Sequence, residues 1–114
     1  MSGLETSDRT LTARFLFPKD FAGFQGHFPG KMILPGVCQI QCALSMIESG
    51  IKKVVTLKEV VLAKYFSPLF PDDAMTCVVS DVGDQGEFVV KAVITKSGAR
   101  ISELKLRVLV ADRG

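Results

Sequence analysis

The sequence predicts an α+β domain in which an antiparallel sheet wraps around one long, central, apolar helix. Segments of alternating polarity lie on both sides of a single run with helical spacing. That run is apolar nearly all round. The segments after it are joined by short turn signals, as consecutive hairpins are. A chain of 114 residues has the length of one domain. Its 47% of hydrophobic residues is high for so small a domain, so one apolar face is expected to be covered by a second subunit.

Residues 1–9 are polar and mixed in charge and are read as an N-terminal tail; residues 10–114 make a single domain. Thr10 to Phe17 alternates, with Leu11, Ala13, Phe15 and Phe17 on one face, which predicts a half-buried strand ended by Pro18. Lys19 to Pro35 is a loop by its glycines and prolines, and its phenylalanines suggest that it is packed down. Pro35-Gly36 opens the helix, where Val37, Ile40, Leu44 and Ile47 recur at helical spacing, with Ala43 and Met46 widening the stripe. Such a helix is expected to be buried. Gly50 is expected to stop it.

Strands are predicted from there to the end: Val54 to Phe66, Met75 to Val82, Glu87 to Lys96 and Ile101 to Val110. The breaks fall at Pro68 and Pro71-Asp72-Asp73, at Gly83-Asp84-Gln85-Gly86 and at Ser97-Gly98. These four strands read as an antiparallel meander. In the last, Leu104, Leu106, Val108 and Val110 face inward, and Glu103, Lys105 and Arg107 outward. One strand, one apolar helix and four strands, with only that helix to cover the sheet, is the arrangement of the hotdog fold.

Composition excludes several functions. A net charge of +2 is too mild for a nucleic-acid binder, which concentrates basic residues in a stripe. An odd number of cysteines, three, argues against a disulfide framework. Cys38 and Cys42 are too few and too regular for a zinc site; with Cys77 they read as small buried hydrophobes, which fits a reducing cytoplasm. The N-terminal residues lack the apolar run of a signal peptide, and no stretch is long and apolar enough for a membrane span. A soluble cytoplasmic protein is expected.

The segment Gly26-His27-Phe28-Pro29-Gly30-Lys31-Met32-Ile33-Leu34-Pro35-Gly36-Val37 resembles the signature of the 3-hydroxyacyl-acyl carrier protein dehydratases, Gly-His-Phe-Pro-Gly-x-Pro-x-x-Pro-Gly-Val leading into the central helix. Lys64-Tyr65-Phe66-Ser67-Pro68-Leu69-Phe70-Pro71-Asp72-Asp73 resembles the same family's second element, a basic residue and an aromatic followed by Pro, two apolar residues and Pro-Gly-Asp. The resemblance runs from about Leu11 to Val110. Three positions depart from the pattern. The family's helix acid, Glu or Asp fourteen residues after the histidine, is Gln41 here. The second proline of the loop is Met32. Between Gly50 and Lys53 almost nothing separates helix and strand.

The resemblance implies the hotdog fold and a hydro-lyase of fatty acid biosynthesis, with no metal, nucleotide or redox cofactor. Its substrate is a 3-hydroxyacyl thioester on acyl carrier protein or coenzyme A. Dehydration needs a base for the C2 proton, a donor for the charge that develops on the thioester oxygen, and an acid to help the C3 hydroxyl leave. His27, the only histidine, is the base, serviceable near neutral pH. In the family a loop carbonyl, here that of Ile33, orients its ring. The N–H groups of Gly36 and Val37, unpaired at a helix start, are the oxyanion donors, and Gly36 lets a thioester approach the backbone.

Gln41 cannot surrender a proton at neutral pH, though it can hold a hydroxyl or a water. It faces His27 of a partner chain, if the family's homodimer with sites at the interface holds here. Phe28, Ile33 and Tyr65 belong to the substrate pocket, and Lys31 and Lys64 to its mouth, where a carrier's acidic surface or a coenzyme A phosphate docks. Two alternatives follow from Gln41: a thioesterase of the same fold in which the amide holds the water, and a non-catalytic acyl-thioester-binding protein or heterodimer subunit.

Overall fold

The computed structural model describes residues 1–21 and 33–112. Six strands form a single sheet: β1 (Ser2–Ser7), β2 (Thr10–Leu16), β3 (Val54–Tyr65), β4 (Ala74–Ser80), β5 (Gly86–Lys96) and β6 (Ala99–Ala111). One helix, α1 (Gly36–Ile51), lies against it. The strand order is β1-β2-β4-β5-β6-β3 and every pairing is antiparallel. The expected architecture is thus present, although the helix is only 16 residues long.

Alternation decided the strands as the sequence indicates. Leu11, Ala13 and Phe15 of β2, Val90, Ala92 and Ile94 of β5, and Leu104, Leu106, Val108 and Val110 of β6 are all buried. They close on Ala43, Met46 and Ile47 of α1, which are fully enclosed. The β5–β6 link at Ser97-Gly98 has positive φ at both residues, 50° and 81°, as the two-residue turns that match strand twist require.

Four expectations are corrected. The polar residues 1–9, read as a tail, carry β1, paired with β2 from Ser7↔Thr10 to Ser2↔Arg14. Its turn uses Asp8 and Arg9 at φ 43° and 66°, a left-handed pair with no glycine to announce it. Arg9 is held there from both ends: its Nε donates to the Val82 carbonyl at 3.1 Å, and the Val82 N–H donates to the Arg9 carbonyl at 3.0 Å. The strands after the helix are not a simple meander either. Only β4, β5 and β6 are consecutive neighbours, and β3 sits at the far edge of the sheet beside β6.

The helix is also less enclosed than its composition suggests. Val37, Gln41 and Ser49 are exposed along one side, Val37 to 70%. Finally, Gly50 does not stop the helix. Lys52 does, at φ 57° and ψ 42°, with its N–H donating to the Glu48 carbonyl at 2.8 Å. Gly50 serves packing instead, since a Cβ there would lie 2.8 Å from the Leu11 Cδ2.

Gly50→Ala tests that contact. Helix propensity favours alanine by about 1 kcal/mol, whereas overpacking against a fully packed side chain costs about 1–3 kcal/mol. The variant is expected to lose stability on balance. A lower urea midpoint at unchanged slope checks this, and a raised midpoint would show that Leu11 yields freely.

Candidate active site

The two segments that carry the family resemblance meet at the start of α1. The Leu34 N–H donates to the Leu69 carbonyl at 2.8 Å, and both side chains are buried. The segment after β3 is tied down along its length. Phe66 N–H donates to the Ile101 carbonyl at 2.8 Å, and Asp72 N–H to the Phe17 carbonyl at 2.9 Å. The Asp73 carboxylate accepts the Phe70 N–H at 2.8 Å and pairs with Lys96 at 2.8 Å. Asp72, where the related pattern has glycine, is left-handed at φ 65°, a conformation aspartate tolerates better than most residues.

Pro35 caps the helix at φ −60° and ψ 150° without a side-chain bond. Its carbonyl accepts the N–H groups of Cys38 at 3.0 Å and Gln39 at 3.4 Å. The N–H groups of Gly36 and Val37 are left without a hydrogen bond to any described residue. Two adjacent donors without a described partner, at the positive end of a helix, suit an oxygen that gains negative charge.

The space over Gly36 is occupied differently from expectation. A Cβ there would lie 2.5 Å from both the Cζ and the hydroxyl oxygen of Tyr65, so the missing side chain makes room for that ring, not for a substrate. Lys64, its neighbour on β3, projects to the other side of the strand, level with Glu103 of β6. Lys64 and Tyr65 therefore do not share one surface. Ile33 is half-buried just before the helix. His27, Phe28 and Lys31 lie outside the described residues.

Gln41 is exposed and lines a cleft of about 330 Å³ with Phe15, Phe17, Phe21, Cys38 and Cys42. Phe17 packs on Phe15 with ring centroids 6.2 Å apart and on Phe21 at 4.6 Å. Five residues of helix set Gln41 roughly 140° around the axis from Gly36. Within one chain, Gln41 and the Tyr65 ring thus flank different sides of α1. Cys42 and Cys77 are buried as expected, whereas Cys38 is only half-buried and borders the cleft. Burial pushes the Cys38 thiol up from its ordinary value. Burial, then the neighbouring Cys38, pushes Cys42 up to about 12, and burial, then Cys42, does the same to Cys77.

One pair escaped the sequence reading. Gln39 and Ser102 are the buried polar side chains among the described residues, and the Ser102 hydroxyl donates to Gln39 Oε1 at 2.7 Å. Ser102 is also the cross-strand partner of Tyr65. A signal for it existed: Gln39 stands on the buried stripe with Ala43 and Met46, where an amide requires a partner.

An antiparallel sheet packed on one central helix defines a hotdog-fold protein. Within that class the chain belongs to the ApeI-like family, described as ApeI dehydratase, whose profile matches residues 4–103. It is 29% identical over 102 residues to the 3-hydroxyacyl-[acyl-carrier-protein] dehydratase FabZ of Anaeromyxobacter sp. (strain Fw109-5), over 79% of this chain and 65% of that protein. The chain thus spans just under two thirds of that relative's length. A chain of the dehydratase heterocomplex ApeI:P from Xenorhabdus doucetiae superimposes with a TM-score of 0.81 at 17% identity, over 94% of each chain. A hypothetical thioesterase from Streptococcus pneumoniae TIGR4, solved with coenzyme A, has a TM-score of 0.71 at 9% identity, covering 97% of this chain and 86% of its own.

The buried pair gives a stability test. Ser102→Ala strands the Gln39 amide oxygen in the core and is expected to cost about 1–3 kcal/mol. Replacing both, Gln39→Leu with Ser102→Ala, is expected to recover most of that loss in urea unfolding. A Ser102→Ala midpoint equal to wild type would refute the pairing's importance.

Proposed function

We propose that this chain is a hydro-lyase that reversibly removes water from a 3-hydroxyacyl thioester borne by acyl carrier protein or coenzyme A. The observation that carries this reading is the junction at Leu34 and Leu69. It brings both family segments to a helix start whose first two N–H groups have no partner among the described residues. Membership of a dehydratase family supports it.

In the proposed reaction the thioester oxygen accepts hydrogen bonds from the Gly36 and Val37 N–H groups. His27 takes the C2 proton, the C2–H electrons form the double bond, and the C3–O bond breaks. Gln41 holds the departing hydroxyl without protonating it, so His27 returns the same proton and water leaves. Ile33 orients the histidine, and Phe28, Lys31, Lys64 and Tyr65 remain candidate contacts to the substrate and its carrier.

The working unit is a dimer with sites at its interface. The open side of α1 and the edge strand β3 together expose Val37, Val60, Val61, Tyr65 and Phe66, each more than 40% accessible. The outer edge of β3, 12 residues long, has no partner strand among the described residues. In the proposed dimer Gln41, roughly 140° from Gly36 on the helix, serves the site of the second copy. A thioesterase is the second reading. It is favoured by an exposed amide beside an apolar cleft, able to hold water but not to protonate a leaving hydroxyl.

The purified protein is expected to hydrate a crotonyl thioester, and His27→Ala to lower that rate by about a hundredfold or more. Gln41→Glu is expected to raise it, because a proton donor returns. Free thiol released by the wild type, with no hydration, would replace the lyase by a hydrolase. Inactivity cured by Gln41→Glu, or by a co-expressed acid-bearing homologue, would make the chain a non-catalytic subunit.

Sedimentation tests the assembly. The wild type is expected at the mass of two chains and Val60→Asp, on the β3 edge, at the mass of one. A monomeric wild type would remove the interface from the proposal.

A further inference from the structure

Tyr65 is the only tyrosine of the chain, and its hydroxyl lies against the helix start. The oxygen stands 2.5 Å from the position a Gly36 Cβ would take, at the same helix start as the Gly36 and Val37 N–H groups. The hydroxyl has no hydrogen-bond partner among the described residues, and the side chain is 47% accessible, so a bound molecule can reach it.

Its position is set by several contacts. Tyr65 pairs with Ser102 across the β3–β6 ladder, and the next residue, Phe66, bonds to the Ile101 carbonyl at 2.8 Å. Ser102 in turn holds Gln39, in the first turns of α1, at 2.7 Å. Strand and helix are thus fastened to each other at the level where ring and backbone touch. A glycine at 36 is what allows that approach. Burial raises the phenol's pKa above its ordinary value, so it keeps its proton at neutral pH.

We propose that the Tyr65 hydroxyl is a third hydrogen-bond donor to the thioester oxygen, beside the Gly36 and Val37 N–H groups. Gln39 and Ser102 are positioning residues that hold it over the helix start. This rests on the reading of the site given above. It gives the site a protonated oxygen donor of its own, in a chain whose Gln41 supplies only an amide. Tyr65 stabilises charge at the thioester oxygen; it does not deliver a proton to the C3 hydroxyl.

Two measurements test it with the full chain. In crotonyl-thioester hydration, Tyr65→Phe is expected to lower kcat by about a hundredfold, the usual effect of losing one oxyanion donor, with KM nearly unchanged. In infrared difference spectra, carbonyl-labelled butyryl-coenzyme A, which has no C3 hydroxyl to lose, reports hydrogen bonding directly. Its bound carbonyl band is expected at higher wavenumber in Tyr65→Phe than in the wild type. A full rate with an unmoved band overturns the proposal. So does a fallen rate with an unmoved band, which would mean that the ring only supports the fold. Failure of the wild type to bind the thioester at all would sink the reading of the site and this inference with it. Wild-type binding together with an indifferent Tyr65→Phe sinks this inference alone.

Discussion

Among the described residues, a six-stranded sheet has a single helix of 16 residues with which to cover its inner face. Such a helix is about 24 Å long, and six strands spaced at about 4.8 Å span a similar width. A helix only about 10 Å thick cannot shield that whole width. The helix touches β1, β2, β3 and β4 and bonds to β6 through Gln39 and Ser102, and the core closes around Ala43, Met46 and Ile47. Beyond it β3 is left half-covered, with most of its side chains accessible. Where the cover ends, the free start of the helix, the Tyr65 ring and the exposed apolar residues come together. The candidate site lies where burial is incomplete.

The start of α1 has to be placed accurately for that edge to be useful, and side-chain capping does not place it, since Pro35 offers none. Three other devices do. The Leu34–Leu69 backbone bond fixes the approach to the helix, the Gln39–Ser102 bond fixes its first turns to β6, and the Tyr65 ring rests on Gly36. A buried polar pair contributes modestly to net stability, but breaking it is costly, and it accepts only one geometry. That directionality is what apolar packing against the strands lacks.

Much of this was legible in the residues, and the rest was hidden for identifiable reasons. The period-two runs of β2, β5 and β6 and the helical stripe of α1 determine their own structure, because each buries one face. β1 was not legible: it is polar on both faces, and its Asp8-Arg9 turn takes a left-handed form held by Val82, seventy-three residues away. Gly50 was misread because a glycine late in a helix has two uses, to stop it or to admit a neighbour, and only the position of Leu11 chooses between them. The edge placement of β3 depends on which strand pairs with β6, a long-range choice that alternation does not encode. At the candidate site, Gly36, Val37 and Gln41 were singled out by the family resemblance, and their roles belong to the proposal. The partnership of Gln39 with Ser102 joins positions sixty-three residues apart and is visible only in the folded chain.

The two margins of the sheet are unlike. β3 offers 12 residues of edge with apolar neighbours. β1 is six residues long, almost wholly polar, and its register is broken between Ser2 and Glu5, with Gly3 left-handed at φ 61°. Short, irregular and polar margins resist further strand addition. Two copies joined along β3 would therefore present a β1 at each extremity, and growth would terminate at the pair. In such a pair the polar β1 margins would close the assembly at two chains and oppose fibre formation.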